Sequence, residues 1–185
     1  MAFNMVAGHA RWPKVNDAIF GLAAKAKEAV EKYGKENVID STLGALVDDN
    51  GDLICLNTVY QELKSLPNAA IAAYAQVAGQ PDFLETVPQI CFGKYRPDAY
   101  IRAVATPGGT GSVRHAIYNY TEPGDSILIS DWFWSPYVTI SEEYGRKATT
   151  FELFNDKNEF NLASFKEKFE ELLNRQKRLV TILNT

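Results

Sequence analysis

From residue 100 onward the chain alternates β-branched runs with amphipathic stretches, and this alternation limits the fold more than any other feature. Residues 100–105, 126–130, 147–153 and 179–183 have the apolar, β-branched character of strands. Between them, 112–120, 136–144 and 162–176 carry apolar residues at helical spacing, as with Phe165, Phe169, Leu172 and Leu173. Parallel strands can be neighbours only if a crossover returns the chain, and a helix is the usual crossover. The predicted class is therefore α/β, a parallel-rich sheet with helices on both faces. Leu179-Val180-Thr181-Ile182-Leu183 looks like a core strand with nothing after it to cover it, so the domain is expected to continue past Thr185.

Before residue 100 the signals are local. Val15, Ile19, Leu22, Ala23, Ala26, Val30 and Tyr33 recur at helical spacing, which predicts a helix over 14–33 that Gly34 can end. The turn cluster Asp48-Asp49-Asn50-Gly51-Asp52 ahead of Leu53-Ile54-Cys55-Leu56 predicts a small hairpin. Thr58 is placed to cap a short helix ended by Pro67, and Pro81 suits the first turn of a longer helix through Phe83, Leu84, Val87 and Ile90. The change of style after the hairpin sets the expected domain boundary, 1–53 against 54–185.

Composition narrows the function. A chain of 185 residues with 46% hydrophobic and 23% charged residues can build a substantial core. Its net charge of -4 provides no basic field for a nucleic-acid backbone, so the expected partners are small molecules or proteins. Cys55 and Cys91 have neither Cys-x-x-Cys nor Cys/His ligand spacing, so no disulfide framework or metal site is expected, and both thiols should be buried. No apolar run approaches the roughly 20 residues that span a bilayer, and the first residues lack the pattern of a signal peptide. The expected location is cytoplasmic, without membrane association.

The sharpest local feature is Thr106-Pro107-Gly108-Gly109-Thr110-Gly111, between a predicted strand and a predicted helix. Glycines let backbone amides approach a ligand, and a helix start offers unpaired N–H groups to an anion such as phosphate. The same pattern also occurs as a plain tight turn. It lacks the Lys-Ser/Thr of a nucleotide P-loop and the Gly-x-Gly-x-x-Gly spacing. Further along, Asp131-Trp132-Phe133-Trp134-Ser135-Pro136-Tyr137 follows a strand and should reach the same sheet edge, where parallel sheets place ligands. Its aromatics can stack a flat ring, or they can plug the core or a subunit contact.

The glycine turn with Ser112-Val113-Arg114, then a helix and a strand ending in an aromatic-proline turn, resembles the aspartate/aromatic branch of fold-type I pyridoxal-phosphate-dependent aminotransferases. Ser41-Thr42-Leu43-Gly44-Ala45-Leu46 is similar to that family's glycine loop near the substrate carboxylate. Tyr74 through Gly79-Gln80-Pro81-Asp82-Phe83 is similar to its tyrosine-to-glycine segment. The resemblance runs from about residue 37 to the end.

It implies an arm and part of a small domain over 1–53, and the first part of the cofactor-binding large domain over 54–185. The cofactor would be pyridoxal 5'-phosphate: Gly108, Gly109 and Thr110 would hold its phosphate and Trp134 would stack on its ring. Gly44 would line the substrate side, and Tyr74 would reach the phosphate of the neighbouring subunit in a homodimer. The arm, with Trp12, would need another surface to cover it. Trp134 precedes Ser135-Pro136, whereas the family has proline directly after the tryptophan. The implied activity is transamination between an amino acid and a 2-oxo acid. The lysine that binds the cofactor covalently, its aspartate partner and the substrate-gripping arginines match no segment of 1–185, so no catalytic residue is expected here and the chain alone should be inactive. His9 and His115 receive no role. The alternatives are a noncatalytic pyridoxal-phosphate-binding domain of a regulator and an unrelated α/β phosphate-binding protein.

Overall fold

A strand buried on both faces has to be apolar at every position rather than at alternate ones. The middle of Ser126–Ser130 meets that condition, with Ile127, Leu128 and Ile129 all fully buried between two serines, and the strand forms the centre of the fold. The computed structural model describes residues 5–10, 18–42 and 44–184, with the side chains of residues 9 and 18–20 outside that description. The chain divides into two compact units between Ala73 and Tyr74.

In the first unit, helix α1 covers Ala18–Tyr33 and stops where expected: Gly34 takes φ 84°, and its amide donates to Val30 O at 3.0 Å. Residues 14–17 of the predicted helix lie outside the described residues, as does part of the arm, including Trp12. The hairpin forms, with Val47 bridged to Leu53 in antiparallel fashion. Its turn is built by Gly51 at φ 77° and by Asp48, whose Oδ1 accepts the amides of Asn50 and Asp52, each at 2.9 Å. The Asp52 amide is the largest influence holding the Asp48 carboxyl below its ordinary value.

Helix α2, Asn57–Ser65, begins two residues earlier than a Thr58 cap implies. Leu56 occupies the cap position, with its carbonyl accepting the amides of Val59 and Tyr60 at 3.0 and 3.3 Å, and no side chain caps the helix. Helix α3, Asn68–Ala72, follows Pro67 and is too short to reveal itself by periodicity.

In the second unit, α4 spans Pro81–Phe92 with Pro81 in its first turn. Helix α5 spans Gly108–Tyr120, so the glycines form its first turn rather than a loop before it. Strand β1, Ser126–Ser130, leads to helix α6, Pro136–Glu143, then to strand β2, Lys147–Phe151. Helix α7, Leu162–Leu173, and the short strand β3, Thr181–Ile182, complete the unit. The sheet order is β2-β1-β3 and both pairings are parallel, with Ser126 opposite Lys147 and Leu128 opposite Thr181.

Alternate residues of β1 face opposite helix layers. Ile127 and Ile129 pack with Ile117 of α5 and with Tyr137 and Ile140 of α6, whereas Leu128 packs with Phe151 and Leu172 of α7. Each such buried side chain contributes about 1.5–3 kcal/mol by leaving water. Arg146, also buried, donates to Thr121 O at 2.7 Å and Tyr144 O at 2.6 Å, tying the end of α5 to the end of α6.

Two expectations fail. Residues 100–105 do not form a strand; among the described residues they have no ladder partner, and Ala105 donates to Ala78 O at 2.7 Å instead. A strand is a relation between segments, so β-branched composition without a neighbour cannot make one. Cys55 and Cys91 are free thiols but exposed rather than buried, since nothing among the described residues covers them.

Candidate cofactor site

The connection from α5 to β1 is the short turn 121–125, so α5 runs back against the direction of β1. The first turn of α5 therefore lies at the carboxyl end of β1, where the chain leaves the sheet through 131–135. Parallel sheets bind ligands at this end, because strand ends and helix starts converge there. Val113 and Tyr137 pack into the same core cluster, and Trp134 sets its ring edge-on to Tyr137 with centroids 5.5 Å apart.

The glycine turn is built tightly. Gly108 takes φ 68°, a conformation that favours glycine, and its amide donates to Thr106 O at 2.8 Å. The Thr106 hydroxyl donates to Gly108 O at 3.1 Å and shares a hydrogen bond with Ser112 Oγ at 2.8 Å. Gly111 is buried, and a Cβ there would sit 2.6 Å from Pro107 Cδ. These contacts leave the amides of Gly109 and Thr110 without an acceptor among the described residues. A Cβ built on Gly108 or Gly109 would meet nothing within 4 Å, so the space over the turn is open. Two adjacent free amides at a helix start, beneath open space, fit a phosphate monoester.

Trp134 and Phe133 are exposed to about the same degree, and Trp132 more so, its ring edge-on to Phe154 at 5.6 Å. The loop holding them is fastened at its start: Asp131 N donates to Phe151 O at 2.8 Å, and Ser130 Oγ to Trp132 O at 2.6 Å. Asp131 Oδ1 accepts the Leu153 amide at 2.9 Å.

The structure thus brings Gly108, Gly109, Thr110 and Trp134 to one end of one sheet. Tyr74, at the start of the second unit, is fully exposed. Gly44 belongs to the first unit, with open space around it, and Leu43 beside it lies outside the described residues. His115 is exposed on α5, well past the glycine turn. Thr106 and Gly111 belong to the same hexapeptide, but the close approach of Pro107 to Gly111 shows only in the structure. Asp131 left no signal in the sequence, since an aspartate after a strand is commonplace. Among the described residues no group of three or more His, Cys, Asp or Glu could hold a metal ion, and no helix is long and apolar enough to cross a membrane.

A glycine-rich helix start and an aromatic loop at the carboxyl end of a parallel sheet make a candidate anion site, and comparison with known proteins gives the family. Residues 36–184 match the family model of class I and II aminotransferases, and the chain belongs to that family. It is similar to the crystal structure of an aminotransferase from Anaerococcus prevotii, at 40% identity and a TM-score of 0.93, over 99% of this chain and 45% of that one. It is 26% identical to the aromatic-amino-acid aminotransferase of Paracoccus denitrificans over 77% of this chain and 36% of the relative. The aspartate aminotransferase of Salmonella typhi is likewise 26% identical, over 77% of this chain and 36% of that protein. The chain therefore spans less than half the length of these relatives.

Proposed function

We propose that the polypeptide carrying this chain is a pyridoxal-phosphate-dependent aminotransferase of the aspartate or aromatic type, moving an amino group between an amino acid and a 2-oxo acid. The observation that carries this reading is the pair of unpaired amides of Gly109 and Thr110 under open space, at the sheet end that also holds Trp134. When bound, the cofactor supplies an electron sink for bond changes at the amino acid's α-carbon. Gly109 and Thr110 donate to its phosphate, Gly108 keeps the approach clear of a side chain, and Trp134 offers a ring face to the pyridine. Gly44 lines the substrate side.

In this reading 1–53 contribute the arm and part of the small domain, and 54–185 begin the large domain. The residues of 1–185 position the cofactor without reacting, so the chain alone does not transaminate. Two exposed free thiols accord with a reducing, cytoplasmic setting. The full protein is a homodimer in which Tyr74, exposed in its own subunit, reaches the partner's cofactor phosphate.

Titration of the chain with pyridoxal 5'-phosphate, with inorganic phosphate as competitor, tests the site; binding that phosphate does not displace would refute it. Borohydride reduction with peptide mapping should find no stoichiometric lysine adduct within 1–185. For the shared site, a full-length Tyr74→Phe variant is mixed with one defective at Gly109. Restored cofactor affinity in verified mixed dimers is expected, and its absence would remove the trans role of Tyr74.

A further inference from the structure

Trp134 sits in an exposed loop, yet a ring that stacks on a cofactor has to be held in place before the cofactor arrives, or its ordering will weaken binding. At its far end the loop 131–135 is held by Tyr137 N donating to Trp134 O at 3.0 Å and by the edge-on Trp134–Tyr137 rings, and in its middle by the Trp132–Phe154 ring contact. Its main-chain entry continues the β1–β2 ladder by one bond, Asp131 N to Phe151 O at 2.8 Å, and Ser130 Oγ closes on Trp132 O at 2.6 Å. The bond that ties a side chain of this loop to another strand's exit is Asp131 Oδ1 accepting the Leu153 amide at 2.9 Å, across 22 residues of sequence. Leu153 is itself anchored, packing against the cluster of Leu128, Phe151 and Leu172, and its carbonyl accepts the Asn161 amide at 2.8 Å. The carboxylate thus couples the tryptophan loop to a rigid part of the core. A hydrogen bond to a charged acceptor is stronger than a neutral one.

We infer that Asp131 is a positioning residue for Trp134: its carboxylate, by accepting the Leu153 amide, holds the loop in the geometry that presents the indole to the cofactor ring. This rests on the reading of Trp134 as the ring's neighbour. Asp131 makes no contact with the cofactor.

The test measures pyridoxal 5'-phosphate affinity in the full-length protein for Asp131→Ala, Asp131→Asn, Trp134→Ala and the double variant Asp131→Ala/Trp134→Ala, alongside thermal unfolding. Asp131→Ala should weaken affinity about tenfold, the size of one lost charge-assisted hydrogen bond. Asp131→Asn keeps an Oδ1 acceptor and should recover most of that loss. In the Trp134→Ala background, Asp131→Ala should add little, because the residue acts through the indole. An unchanged affinity in Asp131→Ala, or the same loss with and without Trp134, overturns the inference. If Trp134→Ala leaves affinity intact, the Trp134 reading fails first and the inference falls with it, a result distinguishable from the other two. Should Asp131→Ala fail to fold, Asp131→Leu, closer in volume and equally unable to accept, takes its place in the cycle.

Discussion

The two units of the chain obey the same local rules and end in opposite conditions. Up to Ala73 the helices and the hairpin form, yet no described residue of that unit is buried, and Leu46, Leu53, Leu56, Val59, Leu63 and Ile71 stay exposed. From Tyr74 on, consecutive elements supply one another's missing faces, so β1 lies between two helix layers and every buried residue among those described belongs to this unit. Periodicity and turn chemistry suffice to make an element, whereas a core needs elements whose apolar faces oppose each other.

The largest expected effect contrasts the two units directly. Leu128→Ala, at a fully buried position, should lower unfolding stability by about 3–5 kcal/mol through lost transfer and a cavity. Leu63→Ala, at a side chain more than half exposed, should stay within about 0.5 kcal/mol. Chemical denaturation measures both, and similar losses at the two sites would break the comparison.

Next in size is a contrast inside the glycine turn. Gly111→Val forces a side chain against the Pro107 ring and should cost about 1–3 kcal/mol of stability along with cofactor affinity. Gly109→Val meets open space in the protein but fills the phosphate's position, so it should abolish pyridoxal 5'-phosphate binding with little change in the melting temperature. Calorimetry with and without the cofactor separates the two, and a Gly109→Val variant of full affinity would remove the phosphate site.

A smaller effect belongs to the first unit. Gly34 ends α1 at φ 84°, where a Cβ is strained, so Gly34→Ala should lower helix content or stability by about 1–2 kcal/mol. Circular dichroism reads this, and an unchanged spectrum and midpoint would show that the helix end is set elsewhere.

The smallest is the pH response of the hairpin. Asp48 is held below its ordinary value, chiefly by the Asp52 amide, so its support of the turn is present above the unfolded-state value and disappears as pH falls through the folded one. The amide resonances of Asn50 and Asp52 should therefore titrate below the ordinary aspartate value, and Asp48→Asn should flatten both curves. Titration at the ordinary value would show that the turn does not depend on the carboxylate.

Much of the candidate site was legible because its parts are contiguous. The hexapeptide 106–111 contains its own turn, its own free amides and the first turn of α5, so its glycines point to an anion site while leaving a plain tight turn as the alternative. The expected strand 126–130 likewise matches β1, since three consecutive apolar residues, Ile127 to Ile129, describe burial on both sides. Residues 100–105 misled because their β-branched character describes a strand in need of a neighbour, and none is present among the described residues. The Thr58 cap lies two residues from the observed helix start, because Leu56 starts α2 through its carbonyl alone. Asp131 was unreadable as a positioning group, since its partner, the Leu153 amide, lies on another strand's exit.

Near neighbours along the chain dictate the helix α1 and its glycine stop, the hairpin turn, the α/β alternation and the glycine-rich start of α5. Tertiary structure alone decided which apolar faces are covered, that Cys55 and Cys91 are exposed, that Arg146 is buried between α5 and α6, and that the tryptophan loop is tied to β2's exit. The physical reason is range. Backbone dihedrals and helix spacing act over a few residues, while burial and cross-strand hydrogen bonds depend on which distant segment arrives alongside.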